Sequence, residues 1–345
     1  MLPLHPGKFA YSLINRIMNA SSRRLQGALE KTRTGVIVIL VAIDHGNQQI
    51  KLSNGRSFTS GFAESETRPP FGEEYLKYNG RYYSLSGKRI PFMRNKVTDD
   101  RFYILTLFAI AYALTDARVQ QQPSDPLPVK LLVGLPPAHF GVQYERFEEY
   151  FLRNKAVEFE FRGTPYSFYI SEVTAYHQAF AAAMPIYGSI SSLPRVVVVD
   201  IGGFTADYLV LRNGQADLSL CDSLEHGVIA LYNQIISKVS SAMDILLDEA
   251  DIDRIIRGNK GGFSDDIARV VEETTHIFLA DLFGKLRERS IDLRTGNTVF
   301  VGGGSMLLRK QIEASERVTA PVFVNELAAN ARGYELLYRA SERQG

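Results

Sequence analysis

From residue 36 onward, short apolar runs alternate with stretches whose apolar residues recur at helical spacing. The run Val36 to Ile43 is unbroken and apolar, as a strand buried on both faces requires. Asp44-His45-Gly46-Asn47 then turns the chain into a second strand, Gln48 to Leu52, giving a hairpin. Short strands follow at Arg56 to Phe62 and Arg81 to Leu85, punctuated by Gly55, Gly80 and Gly87. Asp99 to Val119 places Phe102, Leu105, Phe108, Ala109 and Tyr112 on one helical face, and a polar, proline-containing loop over residues 120–128 ends it. Next come a strand Val129 to Leu135, a helix Gln143 to Arg153, two strands within residues 156–170 and an alanine-rich helix expected over Val173 to Met184.

Arg195 to Asp200 is again an apolar run ending in aspartate, followed by Gly202-Gly203 and a returning strand Asp207 to Arg212. This repeats the layout of residues 36–52 and predicts an internally duplicated α/β architecture. Helices are expected at Leu224 to Val239, Asp244 to Ile256 and Asp265 to Arg289. A strand Thr298 to Val301, a glycine turn, a helix from Met306, a strand Val322 to Val324 and a last helix from Glu326 to Arg339 complete the pattern.

The 345 residues exceed the usual size of one domain, and a formal charge of +1 supplies no global field toward nucleic acid or an anionic membrane. The single cysteine, Cys221, excludes an internal disulfide and leaves no cysteine pair for a zinc site, which fits a reducing, cytoplasmic setting. No apolar run approaches the ~20 residues that span a bilayer. Residues 1–35 differ from the rest: six basic residues face the lone Glu30, with apolar residues interleaved. They read as a basic N-terminal extension, whose amphipathic helix would be the one candidate for membrane contact.

Three segments carry candidate chemistry. In the two Asp-containing turns, glycines expose backbone N–H groups that can cradle phosphate oxygens, and a strand-ending Asp can hold the water shell of Mg²⁺. Lys51 adds positive charge to the first turn, and Asp207 either shapes the second or reaches the metal waters. The third segment, Gly302-Gly303-Gly304-Ser305, lies between a strand and a helix, where a ligand ring or phosphate can approach the backbone. Its spacing is not a dinucleotide fingerprint, and neither a Walker-type phosphate loop nor a G-x-S-x-G nucleophile elbow occurs.

In order and spacing these three segments resemble the phosphate-1, phosphate-2 and adenosine motifs of the actin, heat-shock chaperone and sugar-kinase superfamily. The stretch Ala42 to Leu52, the Leu135-Pro136-Pro137 step and Ala329 to Tyr334 resemble the plasmid-segregating actins of the ParM type. That resemblance implies an actin-like (ribonuclease H-like) duplicated fold, with two lobes around a central nucleotide cleft. Lobe I would hold residues 36–171 and 325–345, and lobe II residues 172–324. It implies ATP or GTP with Mg²⁺, whose waters Asp44 and Asp200 would position. Gly46, Asn47, Gln48, Gly202, Gly203 and Thr205 would line the phosphates, and Lys51 would neutralise them. Gly302, Gly303, Gly304 and Ser305 would pack on the adenosine, and Glu225 would contact the ribose. Glu172, expected at the start of the alanine-rich helix, would orient or deprotonate the attacking water. The resemblance further implies self-association into filaments that move plasmid DNA through a DNA-binding adaptor, with no direct contact to nucleic acid. A membrane-associated cell-division actin and a non-polymerising kinase-like or chaperone-like ATPase are the alternatives.

Overall fold

A computed structural model describes residues 29–31, 37–70, 73–91, 93, 95–119, 125–153 and 156–342. The basic extension expected over residues 1–35 lies outside them, apart from β1 (Leu29–Lys31), which pairs antiparallel with the next strand. Contacts divide the chain into two units.

One unit takes the described residues up to Leu135, His139–Ala181 and those from Asn330 onward. Its strands after β1 are β2 (Ile37–His45), β3 (Gln49–Leu52), β4 (Ser57–Thr59), β5 (Phe62–Ser65), β6 (Leu76–Tyr78) and β7 (Arg81–Leu85). Then come α1 (Arg101–Asp116), β8 (Leu127–Leu135), α2 (Pro137–Phe151), β9 (Val157–Phe161), β10 (Thr164–His177) and the short α3 (Phe180–Ala183). The sheet order is β4-β3-β2-β8-β10-β9-β6-β7-β5, with β2, β8 and β10 mutually parallel. Helix α1 buries every residue from Phe102 to Leu114, including Phe102, Tyr103 and Phe108 at 0% exposure. Each such large side chain contributes about 1.5–3 kcal/mol of transfer free energy, so this helix anchors the core of the unit.

The other unit, Ala182–Ala329 with Pro136–Ala138, contains α4 (Tyr187–Ile190), β11 (Val196–Ile201), β12 (Ala206–Arg212), β13 (Gln215–Leu224), α5 (Val228–Met243), α6 (Glu249–Ile256) and α7 (Asp265–Glu288). It continues with β14 (Asn297–Val301), α8 (Gly302–Leu307), α9 (Arg309–Glu313) and β15 (Pro321–Phe323). Its sheet runs β13-β12-β11-β14-β15, with the first two pairings antiparallel and the last two parallel. The run β4-β3-β2-β8-β10 has the same pairing pattern, so the duplication expected from the repeated Asp-Gly turn is present in the topology. Helix α10 (Ala329–Glu342) ends the described chain.

One expectation fails. Where an alanine-rich helix from Val173 was predicted, β10 continues to His177, paired in parallel with β8 as far as His177↔Leu135. Val173, Thr174 and Tyr176 suit a strand, and the ladder outweighs the weak helical preference of one alanine. The remaining alanines form only the single turn α3.

Candidate functional site

Strand β2 is buried almost throughout, and its penultimate residue, Asp44, 5% exposed, stands at the mouth of a hairpin. Across that hairpin Asp44 faces Lys51, and Nζ lies 3.9 Å from Oδ2. The other carboxylate oxygen, Oδ1, accepts a 3.0 Å hydrogen bond from the side-chain amide of Gln178. Gly46 has no room for a side chain, because a Cβ there would lie 2.5 Å from the Gln49 carbonyl oxygen. Asn47 and Gln48 are partly exposed at the turn.

His45, a residue of this turn, points into the core instead of toward solvent or ligand. It is 0% exposed and stacks on Phe151 at 5.1 Å, with Phe102 and Phe147 edge-on. Thr106 Oγ1 donates to the Phe102 carbonyl (2.8 Å), so it accepts from His45 Nε2 at 2.8 Å. Burial, and then the nearby Lys96 ammonium, hold the imidazole pKa well below its usual value, so the ring is neutral.

Glu172 is not at a helix start. It sits within β10 opposite Lys130 of β8, with its carboxylate 2.9 Å from Lys130 Nζ and its side chain 43% exposed. In the ladder, β2 reaches Ala42 at the level of Leu132 and Thr174, so Asp44 lies beyond Thr174 and well past Glu172. The residue in contact with Asp44 is Gln178, one step past the end of β10 and 7% exposed. Its backbone amide donates to Leu135 O (2.9 Å), and the next residue, Ala179, has φ +61° with its amide held by Asn330 Oδ1 (3.1 Å). A left-handed alanine is costly, and Asn330 compensates part of that cost while fixing Gln178. The sequence signal for Gln178 was a lone amide between a β-type stretch and an alanine run, which motif reading passed over.

In the second unit, Asp200, the penultimate residue of β11, is 7% exposed, and the residue facing it in the antiparallel ladder is Asp207, 5% exposed. Facing positions of an antiparallel ladder lie on the same face, so two buried carboxylates set their oxygen atoms side by side there. Magnesium fits this donor set, because it prefers oxygen ligands, keeps several waters and needs few carboxylates. Among the described residues no group of three or more His, Cys, Asp or Glu forms an all-protein metal cage.

Backbone bonds hold this hairpin. Gly202 N donates to Thr205 O (2.8 Å) within the turn, and Gly227 N donates to Phe204 O (3.0 Å). The first amides of α5, from Val228 and Ile229, donate to the carbonyls of Gly202 (3.1 Å) and Gly203 (2.8 Å). Gly227 therefore precedes a helix whose otherwise unsatisfied N–H groups are taken up by the turn. Glu225 lies before α5, exposed, in the short turn after β13 instead of in the helix expected from Leu224.

The triple glycine divides into inward and outward positions. Gly302, at φ +87°, would put a Cβ 2.1 Å from Asp200 Oδ1, and Gly304 would put one 2.7 Å from Ile201 and Val228 atoms. Both seat α8 against the Asp200 hairpin. A Cβ at Gly303 meets nothing within 4 Å, so this glycine is the open one. Ser305, expected beside a ligand, is 0% exposed.

Two family profiles match the chain in tandem: the actin-like proteins' N-terminal domain over residues 42–180, and the MreB-like archaeal actin homologue's C-terminal domain over residues 198–314. No curated protein matches the sequence significantly. Among solved structures, an archaeal actin homologue superposes with a TM-score of 0.69 at 21% identity, covering 88% of this chain and 99% of that one. A 15-stranded ParM filament from Clostridium botulinum gives 0.68 at 19% identity, covering 88% and 99%. Bacillus thuringiensis ParM with AMPPNP gives 0.59 at 13% identity, covering 89% and 99%. With the duplicated sheet and an Asp-Gly hairpin in each unit, these matches show that the chain has the actin-like fold.

Proposed function

We propose that this protein is a filament-forming actin that binds and hydrolyses a magnesium nucleoside triphosphate, ATP or GTP, in the cytoplasm. The observation that carries the reading is the pair of equivalent hairpins, each with a buried aspartate at the end of a core strand and a glycine turn beyond it.

On this reading Asp44 in one unit and Asp200 with Asp207 in the other are the acids that would hold metal waters, and magnesium there would supply charge neutralisation for the phosphates. Backbone N–H groups around Gly46, Asn47, Gln48, Gly203 and Thr205 cradle the phosphates, Gly202 shapes the turn through its own bond to Thr205 O, and Lys51 balances the phosphate charge. Gly303 is the place where the nucleoside approaches the backbone, and Glu225 meets the ribose. Gln178 takes the role expected of Glu172. An amide cannot serve as a strong base, so it orients the water through hydrogen bonds, and positioning is most of what phosphoryl transfer asks of a protein.

Filament formation is supported by relatives of this fold solved as filaments, among them the Clostridium botulinum ParM assembly. Repetition of one heterologous contact gives an open polymer instead of a ring. Its cargo would be plasmid DNA, reached through a DNA-bound adaptor. Among the described residues no helix is long and apolar enough to cross a membrane. Sedimentation and electron microscopy at micromolar protein, with Mg-ATP, Mg-GTP or neither, test the proposal. Nucleotide-dependent filaments are expected, and their absence across salt and crowding conditions rejects polymerisation.

A further inference from the structure

Three carbonyls of the Asp44 hairpin accept hydrogen bonds from Ser60 and Lys96, the two ends of one braced segment. His45 O accepts from the ammonium of Lys96, Gly46 O from Ser60 Oγ, and Gln48 O from Ser60 N at 3.0 Å. Ser60 is 0% exposed and Lys96 only 9%. The segment is pinned to itself: Ile90 N donates to Ser60 O (2.7 Å), and Gly61 packs so closely that a Cβ would lie 1.9 Å from Lys88 O. The Lys96 ammonium also stands 5.2 Å from the centre of the Phe102 ring, at the face a cation prefers.

A trans peptide directs its C=O and its N–H to opposite sides. Carbonyls of His45 and Gly46 drawn toward Lys96 and Ser60 therefore turn the amides of Gly46 and Asn47 the other way. Those are the groups that a phosphate oxygen would meet. A cation on the His45 carbonyl also polarises that peptide, adding positive character to the Gly46 N–H.

We propose that Lys96 is a positioning residue for phosphate binding, which from behind the Asp44 hairpin aims the Gly46 amide at the phosphates of a nucleotide and strengthens its pull on them. Ser60 does the same, without charge, for Asn47. This rests on the nucleotide-binding reading above.

The test uses the full chain, a fluorescent ATP and a fluorescent ADP with Mg²⁺, and unlabelled adenosine as competitor. Lys96→Met is expected to weaken both labelled nucleotides about tenfold or more, as loss of a charge-assisted hydrogen bond would. Adenosine, which has no phosphate, should compete as it does in the parent. Lys96→Gln, which keeps a donor without the charge, should fall between. If Lys96→Met binds both nucleotides like the parent while melting normally, the inference is overturned. If it does not fold, Ser60→Ala decides: weaker phosphate-dependent binding supports the scheme, and parental affinity overturns it. A parent that binds no nucleotide at all rejects the proposed function instead.

Discussion

In both hairpins an aspartate closes a buried strand and the residue seven positions on faces it across the ladder, yet that residue is Lys51 in one and Asp207 in the other. The first hairpin thus sets a lysine opposite its aspartate, while the second sets two acids opposite one another. Their supports differ as well. Side chains from distant segments (Gln178, Ser60 and Lys96) hold the Asp44 turn, whereas main-chain bonds from α5 and close-packed glycines hold the Asp200 turn. A turn held by side chains can be tuned by substitution with little change in the backbone. A turn held by backbone against backbone tolerates no added atom.

The largest expected effect follows from that intolerance. In Gly227→Ala the new Cβ would meet Gly203 O at 2.3 Å and Phe204 C at 2.5 Å, all main-chain atoms. A loss of about 3 kcal/mol in denaturant unfolding is expected, from overpacking that cannot be relieved by a rotamer change. A variant as stable as the parent would show that the second hairpin is not main-chain held.

On the first hairpin a comparable change should spare the fold and strike the chemistry. Gln178→Ala is expected to lower the turnover number about a hundredfold while nucleotide affinity stays within a few fold, the signature of a group that acts mainly on the attacking water. Glu172→Gln, which breaks a half-exposed pair with Lys130, should leave turnover near the parent value. The reverse outcome would restore Glu172 as the water-orienting residue.

Asp207→Asn sharpens the charge comparison. It removes the like-charge opposition to Asp200, so without metal the protein should gain on the order of 0.5 kcal/mol. Added Mg²⁺ with nucleotide should then raise its melting temperature less than the parent's. A destabilised variant with an undiminished magnesium response would contradict this account of the hairpin.

A further effect concerns His177, which ends β10 and stacks on Phe140 at 3.6 Å. Burial pushes its pKa down to about 4, below the ordinary histidine value near 6.5. The unfolded chain therefore binds the proton first as pH falls. Stability from the neutral ring is complete above about pH 6.5 and is lost progressively toward pH 4. His177→Phe keeps the stacking and should reduce the loss of unfolding free energy across that window by an amount on the order of 1 kcal/mol. An unchanged acid slope would mean that His177 is already protonated in the folded protein.

The duplicated core was legible in the sequence because both its signals are local: an apolar run too short for a helix, and an aspartate-glycine turn at its end. Asp44, Asp200 and their glycines were legible for the same reason. The helix expected at Val173 failed because parallel pairing with β8 is a long-range property, which carries Glu172 into a strand and leaves Gln178, at the strand's end, beside Asp44. His45 looked like a turn residue, but the ring fills a pocket between Phe102, Phe147 and Phe151, which are far from it in sequence. Ser60 and Lys96 carry no motif at all. Their roles depend on where one braced segment lies against the hairpin, and only the folded arrangement gives that.

Release of phosphate from Mg-ATP by the parent and by Asp200→Ala, at equal protein concentration and with both shown to be folded, is the most direct test. The two-hairpin account predicts magnesium-dependent release by the parent and a loss of at least about a hundredfold in the variant, on the scale of removing a preorganised electrostatic partner. Hydrolysis at the parent's rate in Asp200→Ala would contradict it.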